Sequence, residues 1–553
     1  MSVIAAPLRA RPGLPAAPIA RRAVNARFWI ASCVLVAVVV ISHGFNMLHY
    51  PYLQVDEGTY FSQAWAVFHL GRLSPYTYFY DHTPLGWIQI ALWQLLTGDH
   101  RFGYALASGR ILMLLFQLGS ALLVLTIGRR SSGKVWVGLL AAVIFSLSTY
   151  GISYHRRILL DNIATFWLLV SIYLLVGPVT LRRVWLSGIA IGVAVLSKEI
   201  ALAAVPALVV LVARQSPRSS RLFAVSGWLA LSLSICSTYV LMALLKGEFF
   251  PAGTILGGHH PHVSLLCSLQ WQSSRGTDGG LFDRSSQFWI SAASWAHAEP
   301  LLVIGGTAAA TVAIVAFRRH RFISMLGWTV VSLWLFLGRG GVVLDFYLIP
   351  LLPLLALSLA LVVNEIVAHV RRRTPLKVAG QIAAGVIGLA IVGCGVLLVI
   401  GYERSDNGLW TRHPVNAQVQ AVKWVERHLP PSSRMLIDDY MWNDLHSPPS
   451  GEPEFRDAQY YWTVGEDPKL RRQGFGDDWR KVDYVISTPQ LIADTRQQGF
   501  PVVAPALEHS VAIAGFDSGG WRVEVRRVDP RVRGQLHPTQ VNRQPLPGCM
   551  TYT

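Results

Sequence analysis

The sequence predicts a mostly α-helical chain: a polytopic membrane helix bundle of about eleven spans, carrying a C-terminal α/β domain outside the membrane. Three observations predict it. Charged residues are only 14% of the 553 residues, against roughly 25% in soluble proteins. Apolar runs long enough to span a bilayer recur along the first four hundred residues. Lys and Arg fall in alternate loops between those runs. The composition, with 52% hydrophobic residues and a mean hydropathy of +0.40, excludes a soluble enzyme and a disordered chain. Five cysteines exclude a disulfide scaffold and a multi-finger zinc protein.

The spans are expected at about 28–48, 106–128, 135–150, 158–177, 184–197, 199–213, 222–245, 300–317, 322–338, 342–363 and 378–401. The first is too long for a cleaved signal peptide, and more spans follow it. Basic clusters precede, separate and follow them in phase. They are Arg9, Arg11, Arg21, Arg22 and Arg27; Arg129, Arg130 and Lys134; Arg182 and Arg183; Arg214, Arg218 and Arg221; Arg318, Arg319 and Arg321; and Arg371, Arg372, Arg373 and Lys377. With the N-terminus (residues 1–27) in the cytoplasm, all six clusters lie inside, as expected for a multi-pass plasma-membrane protein. These clusters hold twenty of the 48 Lys and Arg, so the rest of the chain is slightly acidic. The net charge of +17 is therefore a topology signal and not a nucleic-acid footprint.

Residues 28–402 then form the membrane domain, with external loops at 49–105 and 246–299. Pro84–Thr97 is apolar but too short to span, and reads as an interfacial or re-entrant helix. Residues 403–528 read as an external α/β domain. Val415, Val419, Val422, Val425 and Leu429 form a helical stripe, and Arg434–Asp438, Val482–Ser487, Val511–Phe516 and Trp521–Val525 read as strands. The tail, 529–553, reads as irregular. Cys267 and Cys549 both fall outside, and the mobile character of that tail argues against a disulfide between them.

Asp56 and Glu57, in Gln54-Val-Asp-Glu-Gly-Thr-Tyr60, follow the first span on its outer side. A solvated loop or a helix N-terminus explains adjacent acids there; a carboxylate so placed also suits a general base toward a hydroxyl. Asp161 lies near the outer end of the fourth span, four residues after Arg157, so the two would share a helix face. A self-satisfied pair and a functional charge weigh about equally there. Arg156, Arg157, Lys198, Lys246 and Arg339 break the positive-inside pattern, and cations at one membrane depth suit a lipid-linked phosphate. Scattered pairing, for instance with Glu199 and Asp345, is the plainer alternative. His82 is a candidate phosphate or substrate contact, although a lone histidine is more often structural. Gly257-Gly-His-His-Pro-His262 matches no zinc spacing, so no metal site is assigned. Walker, dinucleotide, Gly-x-Ser-x-Gly and Cys-x-x-Cys motifs do not occur.

Assembled in order, these residues resemble the C-superfamily of integral membrane glycosyltransferases. The branch is that of bacterial protein O-mannosyltransferases and lipid A aminoarabinose transferases. The matching positions are Asp56-Glu57 with Tyr60, His82-Thr-Pro-Leu85, Arg110, Arg157 and Asp161, Lys198, and Phe346-Tyr-Leu-Ile-Pro-Leu-Leu-Pro353, which brings in Tyr347. Trp424, Leu429-Pro430, Leu436-Ile-Asp-Asp-Tyr440 and Leu445 look like the external domain of actinobacterial relatives. Relatives often carry Lys-Pro-Pro-Leu where this chain has His82-Thr-Pro-Leu85, so another cation would replace that lysine.

The resemblance implies an inverting transferase. Its donor would be a polyprenyl-phosphate sugar, and its acceptor a hydroxyl of a lipid, protein or polysaccharide on the outer face of the plasma membrane. Asp56 would be the base, and Arg156, Arg157, Lys198 and Arg339 would offset the leaving phosphate, with Tyr60, His82 and Tyr347 as substrate contacts. Asp161 would orient Arg157. Glu57 would support Asp56, or help to hold a divalent metal if one is used; no other cofactor is implied. A transporter or flippase for lipid-linked sugars is the alternative, but its charges would gather at the midplane in repeated halves. An inactive binding protein of the same fold would leave Asp56 and Asp161 apart.

Overall fold

The computed structural model describes residues 18–260, 263–275, 279–316, 320–373, 377–404 and 408–532. Arg9, Arg11, Arg318, Arg319, His262, Cys549 and the tail beyond 532 lie outside these residues.

Every expected span is helical. α1 (Pro18–Val39) continues into a π-helical turn at Val40–Gly44. α4 (Leu106–Ser132) is the second span, and α5 (Val135–Ser146) with α6 (Thr149–His155) the third. α7 (Leu160–Leu174), α8 (Leu181–Ser197) and α9 (Val205–Gln215) follow, then α10 (Arg221–Leu245). α13 (Thr307–Ala316), α14 (Arg321–Leu337), α15 (Leu351–Arg373) and α16 (Lys377–Tyr402) complete the set. Among the described residues, four helices are long and apolar enough to cross a membrane, or up to six if each of two bent pairs counts as one span. The α5–α6 pair bends by 67°. Leu160–Leu174, Arg321–Leu337 and Gly388–Tyr402 are shorter apolar helices of 10–17 residues.

Small residues set the closest helix approaches. A Cβ on Gly138 of α5 would stand 2.0 Å from the Leu125 carbonyl oxygen of α4, so the two backbones meet only because that side chain is missing. The bundle core is built from such contacts and from Leu, Ile, Val and Ala layers of α4, α5, α7, α8, α14 and α15.

Outside the bundle, the first loop holds α2 (Val55–His69) and α3 (Leu85–Thr97), the latter at the position expected for an interfacial helix. The second loop holds α11 (Leu265–Ser274) and α12 (Gln287–Ala298). Cys267 of α11 is buried and disulfide-bonded, although the sequence argues against a disulfide at this cysteine; Cys549 lies outside the described residues.

The external domain begins with α17 (Val415–His428), whose Val415, Val422 and Val425 are buried. Its sheet has the order β2 (Ala458–Tyr460), β1 (Met435–Ile437), β3 (Tyr484–Ser487), β5 (Trp521–Val528), β4 (Ser510–Ser518). β1 pairs parallel with β2 and β3, while β5 pairs antiparallel with β3 and β4. α18 (Trp442–His446), α19 (Tyr461–Glu466), α20 (Pro468–Phe475), α21 (Pro489–Gln498) and α22 (Val503–Glu508) fill the crossovers.

One apolar cluster runs from Phe61, Trp87 and Leu160 into Val415, Met435 and Trp442, so the external domain shares a core with the first loop. Gln418 locks the junction in both directions: it accepts from the Leu53 N–H (2.7 Å) and donates to the Leu53 carbonyl (2.9 Å). A buried amide satisfied on both ends fixes orientation as well as contact.

Candidate active site

The segment Asp56-Glu-Gly-Thr-Tyr60 opens α2, and each residue has a different task. Gln54 caps the helix in a reciprocal box with Glu57. Glu57 is fully buried, and Arg110 of α4 grips it with Nε–Oε2 at 3.0 Å and Nη2–Oε1 at 2.8 Å. The Ile158 N–H donates to the same carboxylate (3.1 Å). Both oxygens are thereby occupied, and Glu57 does not line the cavity described below. A bidentate arginine takes both oxygens of this expected site residue. Gly58 lies against the external domain: a Cβ there would stand 2.3 Å from the Asp439 carbonyl carbon. Thr59 donates its hydroxyl to the Asp439 carboxylate.

Asp56 and Tyr60 face the other way, into a cavity of about 410 Å³. Its inner wall is Asp56, Tyr60, His82, Lys198 and Tyr347; its outer wall includes Trp462, Glu466, Asp494 and Phe500 of the external domain. Burial raises the Asp56 carboxyl above its ordinary range, with Lys198 and His82 opposing the shift. Lys198 caps α8, and its Nζ stands 2.9 Å from His82 Nε2 and 3.4 Å from Tyr60 Oη. His82 Nδ1 faces Glu199 Oε2 at 3.4 Å, and Glu199 also accepts from the Thr83 N–H (2.8 Å). The lysine missing from the His82-Thr-Pro-Leu85 segment is thus supplied from α8, beside the histidine.

Asp161 is fully buried in the first turn of α7, and neither carboxylate oxygen has a hydrogen-bond partner. Asp161 does not line the cavity, so the structure places Asp56 and Lys198 on its wall and Asp161 behind it. The expected Arg157–Asp161 pair does not form. Arg157 lies in the break between α6 and α7, so the two residues do not share a helix face. Its guanidinium sits 5.0 Å from the rings of both Tyr52 and Tyr154, with Nε and Nη1 unpartnered.

Two other expected phosphate contacts lie elsewhere. Arg156 is saturated by four carbonyls, those of Ser42, His43, Phe45 and Leu409, at 2.7–3.0 Å. Arg339 is exposed, donates to the Phe336 carbonyl (2.7 Å) and stacks over its ring. Neither lines the cavity. Arg275, over Trp271 at 4.3 Å, does line it, as does Asp81, and sequence reasoning singled out neither. His260 of the histidine-rich loop is bonded to the Phe250 carbonyl (3.0 Å). Among the described residues, no group of three His, Cys, Asp or Glu side chains could hold a metal.

The architecture matches solved structures over nearly its whole length. ArnT from Cupriavidus metallidurans bound to undecaprenyl phosphate aligns with a TM-score of 0.54 at 15% identity, covering 92% of this chain and 99% of that one. Its apo form gives 0.56 at 16% identity, covering 91% and 98%. An Archaeoglobus fulgidus oligosaccharyltransferase gives 0.51 at 11% identity, covering 89% and 74%. The chain shares its fold with these structures. A family model described as dolichyl-phosphate-mannose-protein mannosyltransferase matches residues 88–252. That match takes in Arg110, Asp161 and Lys198 and stops short of Asp56 and His82 on the N-terminal side. Sequence comparison with curated proteins finds no match. The cavity lies between α2, the C-terminal end of α8 and the C-terminal α/β domain.

Proposed function

We propose that the chain is an inverting glycosyltransferase that moves a sugar from a polyprenyl-phosphate donor to an acceptor hydroxyl at the outer face of the membrane. The observation that carries this reading is the cavity itself, where a carboxylate and a lysine share one enclosure beside the outer helix ends. Undecaprenyl phosphate in the ArnT structure is the chemical precedent for such a donor.

Asp56 takes the proton from the acceptor hydroxyl as its oxygen bonds to the anomeric carbon. The bond from that carbon to the phosphate oxygen breaks on the opposite side, and the phosphate leaves with the electron pair. Inversion follows from the single displacement. Lys198 stands where the leaving phosphate gains charge, with His82 beside it and Arg275 across the cavity. Asp161 adds a countercharge near Lys198 without hydrogen-bonding to it, and His82 and Tyr60 are the groups within reach of its ammonium. Glu57 and Arg110 hold the start of α2 rigid, so that Asp56 stays in register with the cavity.

The test is a transfer assay on membranes with a panel of radiolabelled polyprenyl-phosphate sugars, comparing wild type with Asp56→Ala. Incorporation of one label by wild type and its loss in the variant is expected. Equal incorporation by both would remove Asp56 as base, and no incorporation from any donor would remove the reading.

A further inference from the structure

The outer wall of the cavity carries a chemistry that the transfer step does not use. It comes entirely from the external domain, from α19, α21 and the residues just after α21. Trp462 is half-buried, and its indole N–H donates to both oxygens of Asp439 at 2.9 and 3.0 Å, which fixes the plane of the ring. Beside it Glu466 faces the cavity, and burial lifts its carboxyl to about 7, with Arg275 opposing the shift. Asp494 is held by the Tyr461 hydroxyl (2.5 Å) and the Gln490 amide (2.8 Å). Phe500 packs against Gly465, where a Cβ would stand 2.3 Å from its Cδ1, so the glycine makes room for the ring on this wall.

Pinned aromatic faces beside anchored carboxylates suit one kind of partner. A sugar ring offers C–H faces to an aromatic plate and hydroxyls to planar acceptors around its edge. A peptide acceptor would call for backbone pairing along an extended groove or strand edge. Among the described residues, this wall's polar groups gather around one half-open cavity of about 410 Å³ instead. An anionic acceptor group would meet Glu466 and Asp494 on this wall and would depend on Arg275, the cation the departing donor phosphate also faces.

We infer that Trp462, Glu466, Asp494 and Phe500 form an acceptor subsite for a neutral polyhydroxylated carbohydrate, so that the hydroxyl glycosylated is one borne by a saccharide. This deepens the transferase reading and rests on it, because the subsite is an acceptor site only if Asp56 serves a transfer.

The full-length protein in lipid nanodiscs is tested by saturation-transfer NMR with three probes: a neutral mannotriose, a neutral arabinotriose and a Thr-rich uncharged peptide. Ring protons of at least one trisaccharide should receive saturation and the peptide should not. Trp462→Ala should weaken saccharide binding at least tenfold. Glu466→Gln, isosteric and therefore safe for folding, should weaken it several-fold and remove its pH dependence near neutrality. Saturation of the peptide alone would overturn the proposal, and so would saccharide binding unchanged by both variants. The wild-type preparation is also titrated with undecaprenyl phosphate, which belongs to the inner wall. If that titration fails while saccharide binding persists, the transferase reading falls and the carbohydrate subsite stands. If it succeeds while saccharide binding fails, the reverse holds.

Discussion

Arg110 and Arg156 are buried cations at the outer ends of the helices, and so is Lys198, yet the two groups are wired differently. Arg110 has a bidentate carboxylate and further carbonyls, and Arg156 has four carbonyls. Their donors are spent within the protein. Lys198 has only a histidine nitrogen and a distant phenol within hydrogen-bond reach, and it faces a cavity. The same contrast separates Glu57, with both oxygens engaged, from its neighbour Asp56, which lines the cavity. Burial of a charge does not by itself mark function; the unspent hydrogen-bonding capacity does.

The contrast breaks first at the two neighbouring acids. Asp56→Asn should lower transfer by about 10²–10⁴-fold, the usual loss for a catalytic base, while leaving the thermal midpoint near wild type. Glu57→Gln should do the opposite, giving low yield and a reduced midpoint, because removing one partner of a buried ion pair costs about 3–5 kcal/mol. Parallel activity and thermal-unfolding measurements on both variants check this. If Glu57→Gln were fully stable but inactive, the division between the two residues would be wrong.

Lys198 supplies the next test. Lys198→Met should weaken undecaprenyl phosphate binding by about 10–100-fold, the range for one charge-assisted hydrogen bond in a buried site. Arg156→Met should cost stability and leave that affinity alone when measured on the folded fraction. A titration of purified protein in nanodiscs reads both. An equal loss of affinity in the two variants would mean that the arginine reaches the donor after all.

Much of this was legible in the sequence, for a physical reason. In a membrane domain so poor in charge, each acid or base outside the basic loop clusters is an anomaly, and Asp56, Asp161 and Lys198 stood out on that ground. Arg156 and Arg339 stood out equally and do not reach the cavity, because periodicity and topology count charges but not the carbonyls that satisfy them. Arg275, Glu466 and Asp494 were missed for the opposite reason. They lie in an external loop and an external domain, where charges are ordinary and carry no signal. The helical spans and four of the five strands followed from hydropathy. β2, at three residues, is too short to show a period, and the start of α2 at Asp56-Glu57 stayed open against a solvated loop because its cap, Gln54, is not one of the usual Ser, Thr, Asp or Asn.

The smallest expected effect concerns how the external domain holds the outer wall in place. Asp438 is buried, accepts from the Thr488 hydroxyl (2.8 Å) and is shifted by burial up to about 7; Asp439 beside it is raised well above the ordinary range. A carboxyl whose folded pKa lies above its unfolded value stabilises the protein fully below the unfolded value, near 3.8 here. That contribution is lost as pH rises toward the folded value of about 7. The external domain should therefore unfold at a lower temperature at pH 8 than at pH 5, by on the order of a few degrees. Asp438→Asn removes the ionisation while keeping a side chain that accepts from Thr488, so the pH 5 to pH 8 difference should shrink in that variant. The inner wall gives the contrast its edge. Asp56 must be ionised to act as base and its carboxyl is raised by burial, so transfer should fall as pH drops, in the direction opposite to stability. Thermal unfolding and transfer rates measured on the same samples across pH 5–8 would separate the two acids; parallel curves would tie them to a single titration and dissolve the distinction between a holding wall and a reacting one.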